Sequence, residues 1–237
     1  MKTNVIYNED CMGENGMCIL PDNSVDMVLT DPPYGISRES GYTNTSLEKY
    51  KDHEIDFGEW DKKDVDLCVL AKEFYRILKE SGVAVVFYDI WDTTTLKTAF
   101  DDFNQHRVLV WIKNNPVPIN TRVNFLSNAK EFGFSCVKGG TPTFDGHYHN
   151  GVFEYPICHG NERTDHPTQK PKALFDDLIE LYTEKGDVVF DGFMGSGTTA
   201  ISCISSDREY IGFERDEEYY ELARERIKIE RDQGKLF

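Results

Sequence analysis

Short apolar runs and amphipathic stretches alternate along the 237 residues of this chain. Val5-Ile6-Tyr7, Val25–Thr30, Val83–Tyr88 and Val188-Val189-Phe190 are largely apolar, the pattern of strands buried on both faces. Within Asp66–Lys79, Leu67, Leu70, Phe74, Ile77 and Leu78 recur at helical spacing, and Ser81-Gly82 is expected to end that helix. Asp92 stands where it would cap a helix carrying Leu96, Phe100 and Phe103 on one face. Arg107–Lys113, Glu131–Lys138 and Tyr210–Phe213 read as further strands. Pro171 fits the first turn of a helix through Leu174, Leu178 and Leu181 to a stop at Gly186. Further helices are expected near Thr198–Ser205 and over Asp216–Arg231. The alternation predicts an α/β sheet with helices on both faces. No repeat is visible, and the length suits one domain, residues 1–237.

Two stretches, 35–61 and 139–165, lack a regular pattern, and loops of that length inside a compact domain usually carry function or are disordered. Composition adds three constraints. No apolar stretch is long enough to span a bilayer, and Met1–Val5 has no signal-peptide anatomy. Six cysteines without a C-x-x-C pair read as reduced thiols, so a cytoplasmic location is expected. The net charge of −16 argues against a nucleic-acid partner at first sight. Its distribution softens that objection: residues 107–172 hold eight Lys/Arg against five Asp/Glu, a net +3, and the remainder carries −19. Five of the six histidines lie between 106 and 166. A basic segment on an acidic body is what a DNA-facing surface would show.

Asp31-Pro32-Pro33-Tyr34 follows the second apolar run directly. Two prolines fix a stiff, extended corner with a carboxylate at one end and a flat ring at the other, suited to holding a planar nitrogen heterocycle. Asp191-Gly192-Phe193-Met194-Gly195-Ser196-Gly197-Thr198-Thr199 lies between a strand and a helix, where glycines let a ligand approach the backbone. A phosphate loop needs Lys where Gly197 stands, and a dinucleotide loop needs G-x-G-x-x-G; both are missing. Alone, the G-x-G is as consistent with a tight turn. The next strand ends in Glu214, where an acid commonly takes ribose hydroxyls, although a surface or capping role suits it equally if taken alone. Together they suggest an adenosine-type cofactor without a phosphate clamp. His166-Pro167-Thr168-Gln169-Lys170-Pro171 enters the following helix, and Thr168 and Lys170 there are placed to hold a carboxylate.

These residues together resemble the S-adenosylmethionine-dependent amino-group DNA methyltransferases, over nearly the whole chain. Asp31–Tyr34 matches the family's D-P-P-Y, and Asp191–Thr199 its D-P-F-x-G-S-G-T-T loop with Gly192 in place of Pro. His166–Pro171 matches H-P-T-Q-K-P, and Tyr210–Glu214 the strand with the ribose-binding acid. Asn8-Glu9-Asp10-Cys11 looks like the segment whose acid lies near the cofactor adenine, and Trp111–Pro116 like the W-x-K-x-x-P stretch. The order, catalytic corner first and cofactor loop last, is similar to the permuted beta class. The resemblance implies a Rossmann-like, circularly permuted seven-stranded sheet of order 3-2-1-4-5-7-6, beginning near Val5 with Val188–Asp191 central. It implies catalytic roles for Asp31, Pro32, Pro33 and Tyr34. It implies cofactor contacts from Asp10, Cys11, Asp31, His166, Thr168, Gln169, Lys170, Asp191, Phe193, Gly195, Ser196, Gly197, Thr198 and Glu214, and no metal.

On this reading Asp31 and the Pro32 carbonyl accept hydrogen bonds from the exocyclic amine of a flipped base, and Tyr34 stacks on it. Residues 35–61 would be a lid anchored by Phe57 and Trp60, and 139–165 a short target-recognition segment. The substrate implied is double-stranded DNA, with a homodimer and a cognate restriction enzyme as candidate partners. Cytosine C5 chemistry needs a Pro-Cys pair, which is absent; Asp rather than Ser at position 31 leans to adenine N6 over cytosine N4. Asn there would suggest a protein glutamine methyltransferase. A non-catalytic adaptor on the same fold and an enzyme acting on RNA or protein stay open as alternatives. So does a zinc site at His147, His149, Cys158 and His159, whose spacing fits no standard pattern.

Overall fold

The computed structural model describes residues 1–33, 65–116, 127–146 and 148–234. Tyr34, the expected lid at 35–61 with Phe57 and Trp60, and His147 lie outside them. The strands are β1 (Val5–Tyr7), β2 (Val25–Thr30), β3 (Leu78–Tyr88), β4 (Asn104–Lys113), β5 (Lys130–Val137), β6 (Val152–Tyr155), β7 (Val188–Asp191) and β8 (Glu209–Phe213). The α-helices are α1 (Leu67–Ile77), α2 (Thr93–Ala99), α3 (Lys172–Tyr182), α4 (Thr198–Ser205) and α5 (Glu217–Gly234).

All eight strands form one sheet of order β1-β8-β7-β2-β3-β5-β4-β6. The first seven positions reproduce the expected permuted order, with Val5–Tyr7 at one edge and Val188–Asp191 inside. The eighth corrects it. Val152–Tyr155 adds in parallel to Val110–Lys113, within the stretch read as patternless loop. Four residues are too few for a periodic signal, and the strand exists because β4 offers a free edge. Only β5 runs antiparallel to its neighbours β3 and β4.

Alternation sorts the strand residues into two cores. Met27, Leu29, Val83, Val85, Phe87 and Val189 pack under Leu174, Phe175, Leu178 and Ile179 of α3 and Ala200 and Ile201 of α4. Val28, Ala84, Val86, Phe190, Ile211 and Phe213 pack under Leu70, Phe74 and Ile77 of α1 and under Phe100. Strands buried on both faces explain the continuous apolar runs.

Helix α1 begins where Asp66 accepts hydrogen bonds from the Cys68 and Val69 N–H groups, at 3.0 and 3.1 Å. It ends earlier than expected: Leu78 is already extended and opens β3, with no intervening loop. Lys138 makes this possible. Its Nζ donates to the Tyr75 and Leu78 carbonyls and to Asn23 Oδ1, at 2.6, 2.7 and 2.8 Å, and so takes up acceptors at the helix end. Asp92 sits at the start of α2 but makes no side-chain cap; Asp89 instead accepts from Trp91 N at 3.1 Å. Helix α3 stops at Tyr182, because Thr183 is extended, and the chain reaches Gly186 through a turn.

Because β1, β8, β7, β2 and β3 are all parallel, the segments after β1, β2, β7 and β8 leave the sheet at one edge. Ligands of open α/β sheets bind at that carboxyl edge. No helix among the described residues is long and apolar enough to cross a membrane. Replacing Lys138 with Met should strand two buried carbonyls and cost about 2–3 kcal/mol, measured as a shift of the urea unfolding midpoint at unchanged slope.

Candidate active site

Those four segments line a cavity that is partly open to solvent. Its walls include Asp10 and Cys11 after β1, Asp31 and Pro33 after β2, Asp191, Phe193, Gly195, Ser196 and Thr198 after β7, and Glu214 after β8. His166, Thr168, Gln169 and Lys170 from the entry to α3 close it. Nearly every residue expected at the cofactor site is therefore brought together. Gly197 is an exception. It has φ +83° at the start of α4, and a side chain there would lie 3.0 Å from Ala223 Cβ of α5, so its role is helix packing rather than cavity lining. Pro32 is buried and also absent from the wall.

The β7 loop is held by buried polar groups. Asp191 accepts from Thr30 Oγ1 at 2.7 Å, Thr199 Oγ1 at 2.5 Å and Phe193 N at 3.0 Å. Those bonds tie β2, β7 and α4 together, so this carboxylate braces the loop. Burial outweighs them and raises its pKa to about 6. Gly195 donates its N–H to Glu214 Oε2 at 2.7 Å, and Asp216 N donates to Oε1 at 2.8 Å. Each oxygen of Glu214 keeps acceptor capacity toward the cavity. Burial lifts its pKa to about 7 against those hydrogen bonds.

Gly195 has φ +51°, and a Cβ there would approach His166 Nε2 to 2.8 Å, so both backbone and space demand glycine. His166 packs against Tyr219 with ring centres 4.5 Å apart and the ring planes tilted by 57°. Burial, together with Lys170, Arg163 and Arg226, lowers its pKa to about 4, which leaves the ring neutral. Gly192, the departure from the family loop, faces Cys11: a Cβ would lie 3.2 Å from Cys11 Sγ. The Cys11 thiol is held well above its usual range by burial and by Asp10, Asp191 and Glu214.

The H-P-T-Q-K-P entry behaves differently from expectation. Gln169 Oε1 accepts from Thr164 N and Oγ1, each at 2.9 Å, and its Nε2 donates to Glu162 O at 2.8 Å, so the side chain knots its own loop. The Lys170 ammonium is paired with carboxylates of the protein itself. It donates to Asp31 Oδ2 and lies 3.1 Å from Glu131 Oε2. The two carboxylates overcome burial and raise its pKa further above the usual lysine value.

Sequence reasoning missed two residues here. Glu131, the second residue of β5, joins Lys170 to Lys113 at 2.6 Å. Burial opposes its charge, but Lys170 and Lys113 hold its carboxyl below the ordinary range. Arg226 of α5 donates to Ser196 O at 2.6 Å and Ser196 Oγ at 2.9 Å, pinning the glycine loop from behind. Neither lies in a motif, and each meets the site only through tertiary contacts. Among the described residues no group of three or more His, Cys, Asp or Glu could hold a metal ion.

A DNA methylase family model (N6/N4 type) matches residues 25–225. The type II methyltransferase M2.MboI of Moraxella bovis is 29% identical, with 93% of this chain and 86% of that protein aligned. The type II methyltransferase M.HinfI of Haemophilus influenzae is 30% identical, over 95% of this chain and 68% of that protein. Among solved structures, the M1.HpyAVI–SAM complex superposes with a TM-score of 0.72 at 26% identity, covering 94% of this chain and 98% of that one. The PvuII cytosine-N4-specific DNA methyltransferase shares the fold, with a TM-score of 0.73 at 22% identity over 94% and 86% of the two chains.

The raised pKa of Glu214 has a consequence for stability. The unfolded chain ionises Glu214 near 4.5 and the folded chain near 7, so between those values the unfolded state loses its proton first and folding weakens as pH rises. The stability of the parent relative to Glu214→Gln should therefore fall by roughly 3 kcal/mol between about pH 4.5 and 7.5. Urea unfolding of both proteins across that range measures it; parallel pH dependences would show that Glu214 titrates normally.

Proposed function

The chain belongs to the N6/N4 DNA methylase family, and from that premise we propose that it transfers a methyl group from S-adenosylmethionine to the N6 amine of an adenine flipped out of double-stranded DNA. The observation that carries the reading is the position of Asp31: it leaves the carboxyl end of β2 at the rim of the cavity, ion-paired to Lys170 and facing the glycine loop across the wall.

The cavity suits this cofactor chemically. Its wall carries five carboxylates, Glu9, Asp10, Asp31, Asp191 and Glu214, against the cations Lys170 and Arg215. That balance repels a polyphosphate and favours a ligand bearing a cation. Glu214 offers acceptors for ribose hydroxyls, and Asp10 and Phe193 flank the space for the base. S-adenosylmethionine, when bound, supplies an electrophilic methyl group on a sulfonium.

An exocyclic amine is a poor nucleophile because its lone pair is delocalised into the ring. Asp31 and the Pro32 carbonyl accept its two N–H groups, which draws the nitrogen toward tetrahedral geometry and aims the lone pair at the methyl group. Catalysis is then positioning and electrostatics. A covalent enzyme intermediate has no support here: Cys11, the cysteine on the cavity wall, is held as a neutral thiol. Tyr34, next along the chain, stacks on the flipped base, returning roughly 1–3 kcal/mol of the extrusion cost. Residues 35–61 serve as the lid and 139–165 contact the target sequence. The type II relatives support a restriction–modification role, for which a cognate restriction enzyme is the proposed partner; a second copy of the chain is proposed as a further partner.

Adenine rather than cytosine rests on Asp at position 31, the residue that the resemblance associates with N6 chemistry. The test is incubation with labelled S-adenosylmethionine and unmethylated genomic DNA, followed by mass spectrometry of the nucleosides. N6-methyladenine is expected; N4-methylcytosine as sole product would overturn the base assignment, and unlabelled DNA the substrate class. Asp31→Ala should reduce transfer by at least about 10³-fold with cofactor affinity changed by less than about tenfold. Substantial residual activity would refute its catalytic role.

A further inference from the structure

Lys113, Glu131, Lys170 and Asp31 form a continuous chain of alternating charge along the carboxyl edge of the sheet. Glu131 uses one oxygen at 2.6 Å on Lys113 and the other at 3.1 Å on Lys170. The Lys170 side chain is only 6% exposed, and its ammonium lies 5.3 Å from the centre of the Phe87 ring. Lys113 lies 5.2 Å from the centre of the Trp111 ring. Aromatic faces thus fix both ammonium groups from beneath, and the four charges sum to zero.

We propose that Glu131 is a positioning residue for Asp31, acting through the Lys170 ammonium that the two carboxylates share. The inference rests on the methyltransferase reading given above. A buried ammonium paired with Asp31 alone would satisfy that carboxylate and weaken it as an acceptor for the target amine. Glu131 draws part of the ammonium's interaction to itself. Asp31 is therefore oriented by Lys170 without carrying the whole of that ammonium's charge. Loss of the Glu131 charge leaves Lys170 wholly to Asp31 and adds a net positive charge beside the amine, which itself becomes positive as it accepts the methyl group. That penalty falls on the transition state more than on the bound ground state, so it lowers kcat rather than raising KM.

Register explains why this residue holds the post. Glu131 pairs with Trp111 on β4, and the next residue, Phe132, pairs with Tyr88 at the end of β3. Because β5 is antiparallel to β3, its beginning lies at the same edge as the end of β2. A carboxylate on the second residue of β5 is thereby delivered to the catalytic corner without belonging to any loop.

The experiment measures kcat, the KM for S-adenosylmethionine and the thermal midpoint of the full chain, as wild type, Glu131→Gln and Glu131→Asp, on unmethylated DNA. Glu131→Gln is expected to lower kcat by about 10- to 100-fold while KM for the cofactor changes by less than about threefold. Glu131→Asp, which keeps the charge one methylene further away, is expected to lower kcat by about three- to tenfold and to stay clearly above Glu131→Gln. A Glu131→Gln protein with kcat within about twofold of wild type overturns the proposal, as does a Glu131→Asp protein no faster than a folded Glu131→Gln. If Glu131→Gln does not fold, Glu131→Asp decides: a kcat lowered about three- to tenfold at unchanged KM supports the proposal, and an unchanged kcat overturns it. A wild-type protein that transfers no methyl group overturns the functional reading and this inference with it, an outcome distinct from an active wild type with an unaffected variant.

Discussion

The hydrogen bond from Thr30 to Asp191 joins two strand ends that are 161 residues apart in the chain. It closes the parallel pairing of β2 with β7, in which Met27 faces Val189 and Val28 faces Phe190. Everything in the site depends on this pairing. It places Asp31 and Pro33 after β2 beside the glycine loop after β7, so the carboxylate proposed to hold the target amine lines the same cavity as the residues proposed to hold the cofactor. Asp191 is buried, and its second oxygen is taken by Thr199 of α4, so the same carboxylate also sets where that helix starts. A single polar group satisfied from three sides makes the junction rigid, at the cost of a carboxyl that burial holds toward its protonated form.

Charges around the cavity divide into braced and poised groups. Asp191 and Glu214 are both raised by burial, and each accepts one hydrogen bond from the glycine loop, from Phe193 N and Gly195 N respectively. His166 is driven the other way and remains a neutral ring packed against Gly195 and Tyr219. Lys170 is buried yet remains charged, because two carboxylates flank it. The outcome is an acidic pocket with a firmly held cation beside Asp31, a distribution suited to a cationic methyl donor and unsuited to a phosphate.

Motif residues were legible in the chain because each marks a fixed local backbone geometry: Asp31 on its proline corner, Gly195 at positive φ, Glu214 at a strand end. Their supporting residues were not. Glu131 and Arg226 reach the site across the sheet and from α5, and Lys138 reaches the end of α1 from β5. An isolated Glu, Arg or Lys in a strand or helix carries no local signal of such a partner. Expectation also assigned Lys170 to a ligand carboxylate, whereas its partners are carboxylates of the protein itself, brought to it by β2 and β5.

By itself the sequence determined the alternation of strands and helices, since apolar periodicity is a local consequence of backbone geometry, while the permuted order followed from the resemblance of its motifs to those of the amino-group DNA methyltransferases. The tertiary structure alone decided the eighth strand, the strand-like start at Leu78 and the charge chain from Lys113 to Asp31. Each of those depends on a partner far along the chain: a free edge on β4, the ammonium of Lys138, and an antiparallel β5 that brings Glu131 to the corner where Asp31 stands.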